Sequence, residues 1–215
     1  MKAYGKLTTG LIVAWFLFAL GAGALGLFEN AANRVGAAVG IAALVPIVVF
    51  AVWFAASESF RRFVLGLNAR TLTFVQSGRI IGATFVILQA RGVLPAVFAW
   101  PAGYGDIFIG ATAWFVGWKL SRPGHRGSFI FWNALGILDL VTAVTLGTTA
   151  GVIQPHGVPM AAMTVLPLSL IPTFLVPLYL IVHVICIAQA RGWTSVAGGE
   201  RRGVGVGHYA ESQKI

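Results

Sequence analysis

Six apolar stretches alternate with short turn-rich connectors along the chain, at residues 7–27, 35–55, 72–90, 103–119, 128–149 and 167–190. Each is close to the roughly 20 residues that cross a bilayer core. The connectors run from Glu29 to Arg34, Ser57 to Arg70, Arg91 to Pro101, Leu120 to Gly127 and Ala150 to Leu166, and hold polar residues, Gly and Pro. Backbone amides in lipid have to pair within their own segment, so each stretch is expected to be a helix. The pattern predicts an all-α, polytopic transmembrane bundle of about six spans over residues 1–190. Residues 191–215, rich in Gly and charge with little to bury, are expected to form a flexible basic cytoplasmic tail.

Composition agrees with this class. Of the 215 residues 58% are hydrophobic and only 10% charged, against roughly 25% charged in soluble domains. The net charge of +9 would point to nucleic acid in a soluble protein, but basic residues at span ends orient helices and meet anionic lipid head groups instead. With the N-terminus cytoplasmic, twelve of the 15 basic residues fall in inside segments; Arg34 and Arg91 lie outside and Arg79 lies within the third span. That imbalance predicts both termini inside. Trp100 and Tyr104 then mark the outer boundary, and Trp118 and Trp193 the inner one. The expected partners are the bilayer and its anionic cytoplasmic lipids, with a second copy of the chain as an open possibility and no nucleic acid. Lys2 and Lys6 before an apolar run that reaches Ala22-Gly23-Ala24 resemble a cleavable signal, though the run is long for one.

The informative residues are the ionisable ones at membrane depth. A charge at the bilayer centre costs at least ~2.5–3.5 kcal/mol, so such groups face the bundle interior and pair. Arg79, Asp139 and His183 fall about 13, 16 and 12 Å above the inner boundary, on three different spans, at 1.5 Å per residue. Asp106 counts to about 19 Å and belongs to the outer half. Gln76, one turn from Arg79, and Asn133 on the fifth span extend the group on its inner side. Two arrangements fit these depths. In one, Arg79 forms a buried ion pair with Asp139 or Asp106 and His183 bonds a backbone carbonyl, all serving packing. In the other, a polar cavity lets Arg79 hold an anionic group while Asp139 and His183 pass protons.

Proline and glycine mark irregular segments. Pro95, Pro101 and three glycines (Gly92, Gly103 and Gly105) fall within sixteen residues of the segment 91–110, which predicts a short helix or re-entrant turn before the fourth span. Pro101 would then open that span, with Asp106 in its first turns. Pro167, Pro172 and Pro177 recur every five residues, so the outer half of the sixth span is expected to be kinked or unwound, its freed carbonyls met by Ser169, Thr173, packing or a ligand. Residues 58–70, with three arginines among Phe60, Phe63, Val64, Leu65 and Leu67, form either a surface amphipathic helix or an extension of the third span. Gly36-x-x-x-Gly40 and Gly78-x-x-x-Gly82 predict close helix contacts.

Several chemistries find no support. Gly103-Tyr104-Gly105-Asp106 repeats the letters of a potassium filter, but Pro101-Ala102 precedes it and apolar Ile107-Phe108-Ile109 follows. His183 is the one intramembrane histidine, which leaves no pair for a b-type haem. Cys186 is the single cysteine, and HExxH and GxSxG strings are absent. No cofactor or metal is expected. Residues 98–110 (FAWPAGYGDIFIG), 132–139 (WNALGILD) and 172–183 (PTFLVPLYLIVH) resemble a group of uncharacterised bacterial multi-span membrane proteins. The resemblance implies a bacterial inner-membrane setting and carries no activity. The expected function is a small transporter or channel for a polar or anionic solute, using Arg79, Asp106, Asn133, Asp139, His183 and Gln76 as binding or relay groups. The alternatives are an accessory or assembly protein whose cluster is structural, and an intramembrane enzyme or cofactor holder using His183 and Asp139.

Overall fold

Apolar side chains face outward and polar ones inward. In the computed structural model, which describes residues 2–29 and 35–193, the fully buried side chains include Thr73, Gln76, Arg79, Asn133, Ser169, Thr173 and His183, while Phe18, Ile41, Val52, Phe131 and Leu138 are each more than 60% exposed. A water-facing surface would be the reverse, so this chain is built for an apolar surround.

All regular secondary structure among the described residues is helical. The elements are α1 (Lys2–Ala24), α2 (Ala37–Ala56), α3 (Glu58–Leu65), α4 (Ala69–Val75), a 3₁₀ segment (Gln76–Gly82) running into α5 (Ala83–Ala90), α6 (Ala96–Phe115) ending in a π turn (Val116–Leu120), α7 (Arg126–Ile153), and α8 (Val176–Arg191) preceded by a π turn (Ile171–Leu175). Five helices are long and apolar enough to cross a membrane: Tyr4–Ala24, Ala37–Ala56, Ala69–Ala90, Pro123–Ile153 and Ile171–Arg191. The α6 helix is long enough but diluted by glycines, Pro101, Asp106 and Lys119, and it sits at the centre, packed on the 3₁₀ segment, α5 and α7. The inner group is α4 to α8, and α1 and α2 lie along its side against the π turn and α8.

Three irregular regions differ from or sharpen the sequence reading. Residues 91–105 form no re-entrant turn. Gly92, at φ +71, closes α5, Pro95 is the N-cap of α6, and the helix continues through Pro101. Pro101 stands only five residues inside, where the single bond lost is the one to the Val97 carbonyl, so the helix tolerates it. Asp106 consequently lies well inside α6, which begins at Ala96, rather than in its first turns. Residues 58–65 are a separate helix: the Ser57 hydroxyl caps it by accepting from the Phe60 N–H at 3.2 Å, and Asn68 caps α4 from the Thr71 N–H at 3.1 Å. The amphipathic alternative therefore holds, with Phe60 stacked on Trp53 at 3.9 Å between ring centroids and the charged Arg62 side chain outward. Gln189 of α8 closes the far end of α3, its amide donating to the Val64, Leu65 and Leu67 carbonyls.

The proline run before α8 unwinds the chain as its spacing requires. Pro177 has no N–H to offer the Thr173 carbonyl four residues back, and the indole N–H of Trp15 on α1 donates to that carbonyl instead, at 3.1 Å. The partner is thus a side chain from the first helix, which the local sequence did not indicate. Arg191 ends α8, and residues 194–215 of the expected tail lie outside the described residues, as do Arg34 and residues 30–33.

Candidate functional site

The third span carries its buried residues at a spacing of three: Thr73, Gln76, Arg79, Gly82 and Phe85. In an α-helix such a row drifts around the axis, whereas a 3₁₀ helix sets i and i+3 one above the other. The 3₁₀ turn over Gln76–Gly82 therefore aims Gln76 and Arg79 at the same interior line, and both are 0% exposed. Glycines on α6 let that backbone come close. Gly103, Gly110 and Gly117 recur every seven residues, and a Cβ on Gly110 would stand 2.6 Å from the Ile80 nitrogen, one on Gly117 2.5 Å from the Phe74 ring. Gly82 in turn leaves room for Asp106, Gly105 for the Asp139 carboxylate and Gly136 for the His183 ring.

Within that space one guanidinium is ringed by acceptors from three helices. Arg79 Nε donates to Asp106 Oδ1 at 2.7 Å, Nη2 donates to Asp139 Oδ2, and Nη1 donates to the Gly136 carbonyl at 3.3 Å. His183 Nε2 lies 3.2 Å from Nη1, and its Nδ1 lies 2.9 Å from Asn133 Oδ1. Because the Asn133 amide nitrogen donates to the Phe129 carbonyl at 2.8 Å, its oxygen is the acceptor facing the imidazole. His183 must then carry its proton on Nδ1 and accept from Arg79 on Nε2, which is the neutral tautomer. Trp132 stands edge-on to His183 at 5.6 Å and anchors its own indole N–H on Thr112 Oγ1 at 2.9 Å.

Five of the six residues singled out by sequence thus form one connected network: Arg79, Asp106, Asp139, His183 and Asn133. Gln76 is buried beside it but donates elsewhere, to the Tyr179 carbonyl at 3.2 Å. Asp106 is not set apart in the outer half. Arg79 bridges to it because the side chain is long and the 3₁₀ turn climbs at about 2.0 Å per residue rather than 1.5. Both ion pairs form together where either one was expected, and the partner of His183 is the Asn133 side chain rather than a carbonyl. The glycine motif at Gly78 and Gly82 is used, against Tyr179 and Asp106, whereas a Cβ on Gly40 would meet nothing within 4 Å. What sequence reading missed was the Gly136 carbonyl and the glycine row of α6, whose recurrence every seven residues was the available signal.

The charges do not cancel. Asp106 and Asp139, the only two aspartates of the chain, share one fully buried arginine and keep 14% and 15% side-chain exposure. With His183 neutral, the cluster holds one negative charge in excess when both carboxyls are ionised. Four of the five guanidinium N–H groups are already engaged. Beside the cluster, a cavity of about 80 Å³ opens between α2, α7 and the π turn before α8, with Asp106 in its wall and apolar residues such as Val39, Leu140, Ala143 and Met163 around the rest.

A family model described as Domain of unknown function (DUF8737) matches residues 32–191, which takes in α2 through α8 and every residue of the cluster. No curated protein and no solved structure matches the chain.

Proposed function

We propose that this chain, which belongs to the DUF8737 family, is a small six-span carrier of a bacterial-type inner membrane, with both termini cytoplasmic, whose Arg79–Asp106–Asp139 cluster takes up and gives back a proton as it works. The observation that carries this reading is the pair of carboxylates around one buried guanidinium. In a low-dielectric interior an uncompensated negative charge is costly, so the cluster is stable with one proton added and strained without it. Both aspartates retain a small exposed area through which a proton can arrive. The charged groups that surround them are Arg79 and each other, with the Tyr179 hydroxyl packed nearby against Gly78.

Of the polar or anionic solute expected from sequence, the same charge count disfavours the anion. Arg79 has one N–H left, and a second anion would join an existing negative surplus. His183 is a positioning residue in this scheme: it accepts from Arg79 and is held by Asn133, so both ring nitrogens are occupied and neither is free to bind a haem or metal. A second reading is favoured by the closed hydrogen-bond chain from Arg79 through His183 and Asn133 to the Phe129 carbonyl. An accessory membrane protein would use such a chain only to fix helix rotation.

Proteoliposomes enclosing a pH-sensitive dye separate the two. A carrier dissipates an imposed pH gradient, and Asp139→Asn lowers that rate while the variant still elutes as the parent does. Vesicles as tight as protein-free ones would leave the accessory reading.

A further inference from the structure

We infer that the basic end of the bundle carries a binding site for one anionic phospholipid, its phosphate held by Arg70 of α4 and its acyl chains lying along the exposed rings of α6. Two pairs of residues, each four apart, build the site. Arg70 and Phe74 share one face of α4, Trp114 and Trp118 one face of α6 and its π turn. They meet rung by rung: Phe74 stacks on Trp114 at 4.4 Å between ring centroids, and the Arg70 guanidinium stands over Trp118 at 5.4 Å from its centroid. Gly117 lets the two helices touch, since a Cβ there would lie 2.5 Å from the Phe74 ring. The indoles nevertheless face outward, Trp114 at 60% and Trp118 at 61% exposure.

Charge and depth select the occupant. Among the described residues Arg70 takes part in no ion pair. Packed by its flat face on an indole, the guanidinium keeps its N–H edge for an acceptor, and a phosphate diester fits that fork bidentately. Lys119 of the π turn, Arg122 and Arg126 before and at the start of α7, and Arg191 at the end of α8 add positive charge at the same end. The one described acid there is Glu58, which already pairs with Arg62 at 3.8 Å. Trp114 stands four residues further into the span than Trp118, about 6 Å deeper at 1.5 Å per residue. The surface is thus charged at the height of a head group and apolar at the height of acyl chains. An acidic protein or a soluble anion would meet the charges and leave Trp114 and Phe115 uncovered. The inference is independent of the carrier reading, and uses the proposed orientation only to assign the lipid to the cytoplasmic leaflet.

The purified full chain in a neutral detergent is titrated with dihexanoyl phosphatidylglycerol, dihexanoyl phosphatidylcholine and glycerol phosphate, following affinity by calorimetry. Phosphatidylglycerol should bind saturably and at least about tenfold more tightly than the zwitterionic lipid, and than glycerol phosphate, which has the head group without the chains. Arg70→Gln should weaken that binding at least about fivefold. Trp118→Leu keeps every charge and should weaken it about threefold through the lost ring. Both side chains are exposed, so both variants should melt like the parent without lipid. Arg62→Gln removes a charge from the same end at a side chain that Glu58 already engages, and should bind as the parent does. Equal losses in Arg70→Gln and Arg62→Gln would overturn the site and leave a diffuse attraction to a basic surface. Equal affinity for the two lipids would overturn it as well, and glycerol phosphate binding as tightly as the lipid would replace it with a site for free phosphate esters.

Discussion

Arg79 is the residue on which the interior depends, because it alone offsets two carboxylates. Replacing it with Ala leaves both buried and unpaired, and the expected loss is about 3–5 kcal/mol, read as a large drop in the detergent melting temperature. Arg79→Lys keeps the charge but cannot donate to Asp106, Asp139 and Gly136 in a planar fork, so it should fall between the two. A melting curve unchanged in Arg79→Ala would mean that the side chain is solvated. The glycines make a sharper comparison. A methyl on Gly105 falls on the Asp139 carboxylate, and one on Gly40 meets nothing within 4 Å. Gly105→Ala should therefore destabilise by about 1–3 kcal/mol as an overpacked site, while Gly40→Ala should be neutral or mildly stabilising through its helix propensity. Equal melting temperatures for these two variants would contradict the close approach of α6 and α7.

Among the elements, the irregular ones carry the most information, since each has a partner that replaces what its backbone lacks. The π turn before α8 leaves the Thr173 carbonyl without its usual donor, and Trp15 supplies one from α1. Trp15→Phe should cost about 1 kcal/mol. In a Pro177→Ala background, where residue 177 regains an N–H, the same change should cost less, giving a non-zero coupling in a double-mutant cycle. Additive effects would show that the indole bond does not compensate the proline. The 3₁₀ segment of the third span follows the same logic from the opposite direction. Its buried row at Thr73, Gln76 and Arg79 has a spacing of three, and a turn of that period is what keeps the row facing one way. The proline at 101 illustrates where local reasoning stops, because whether it breaks a helix depends on where the helix begins, and Pro95 sets that start by capping α6.

For the whole molecule, the orientation proposed from the charge imbalance between connectors is open to a direct test. Gly157 lies in the connector after α7, and Gly124, with nothing within 4 Å of an added Cβ, lies in the one before it. A membrane-impermeant maleimide should label Gly157→Cys in intact cells and Gly124→Cys only after permeabilisation. The native Cys186 is 0% exposed and gives no background. Labelling of both from outside, or the reverse pattern, would refute the topology.

Whereas five helices rather than six are long and apolar enough to cross a membrane, helical class and the inward placement of Gln76, Arg79, Asn133 and His183 were legible in the sequence. Those properties depend on composition and on spacing along one strand of chain: a span needs its run of apolar residues, and an Arg or Asp inside such a run has to turn inward. Which of these groups meet was decided only by tertiary structure. Counting along each helix placed Asp106 apart from Arg79, because depth in residues ignores helix type, tilt and the reach of a long side chain. The contacts instead follow from where glycines let backbones close up, at Gly82, Gly105, Gly110 and Gly136. The charge state of the cluster is decided at that same level. One arginine and two aspartates on three spans are separate charges in the sequence, and they become a single site with one negative charge in excess only when three helices place them around the same 0%-exposed guanidinium.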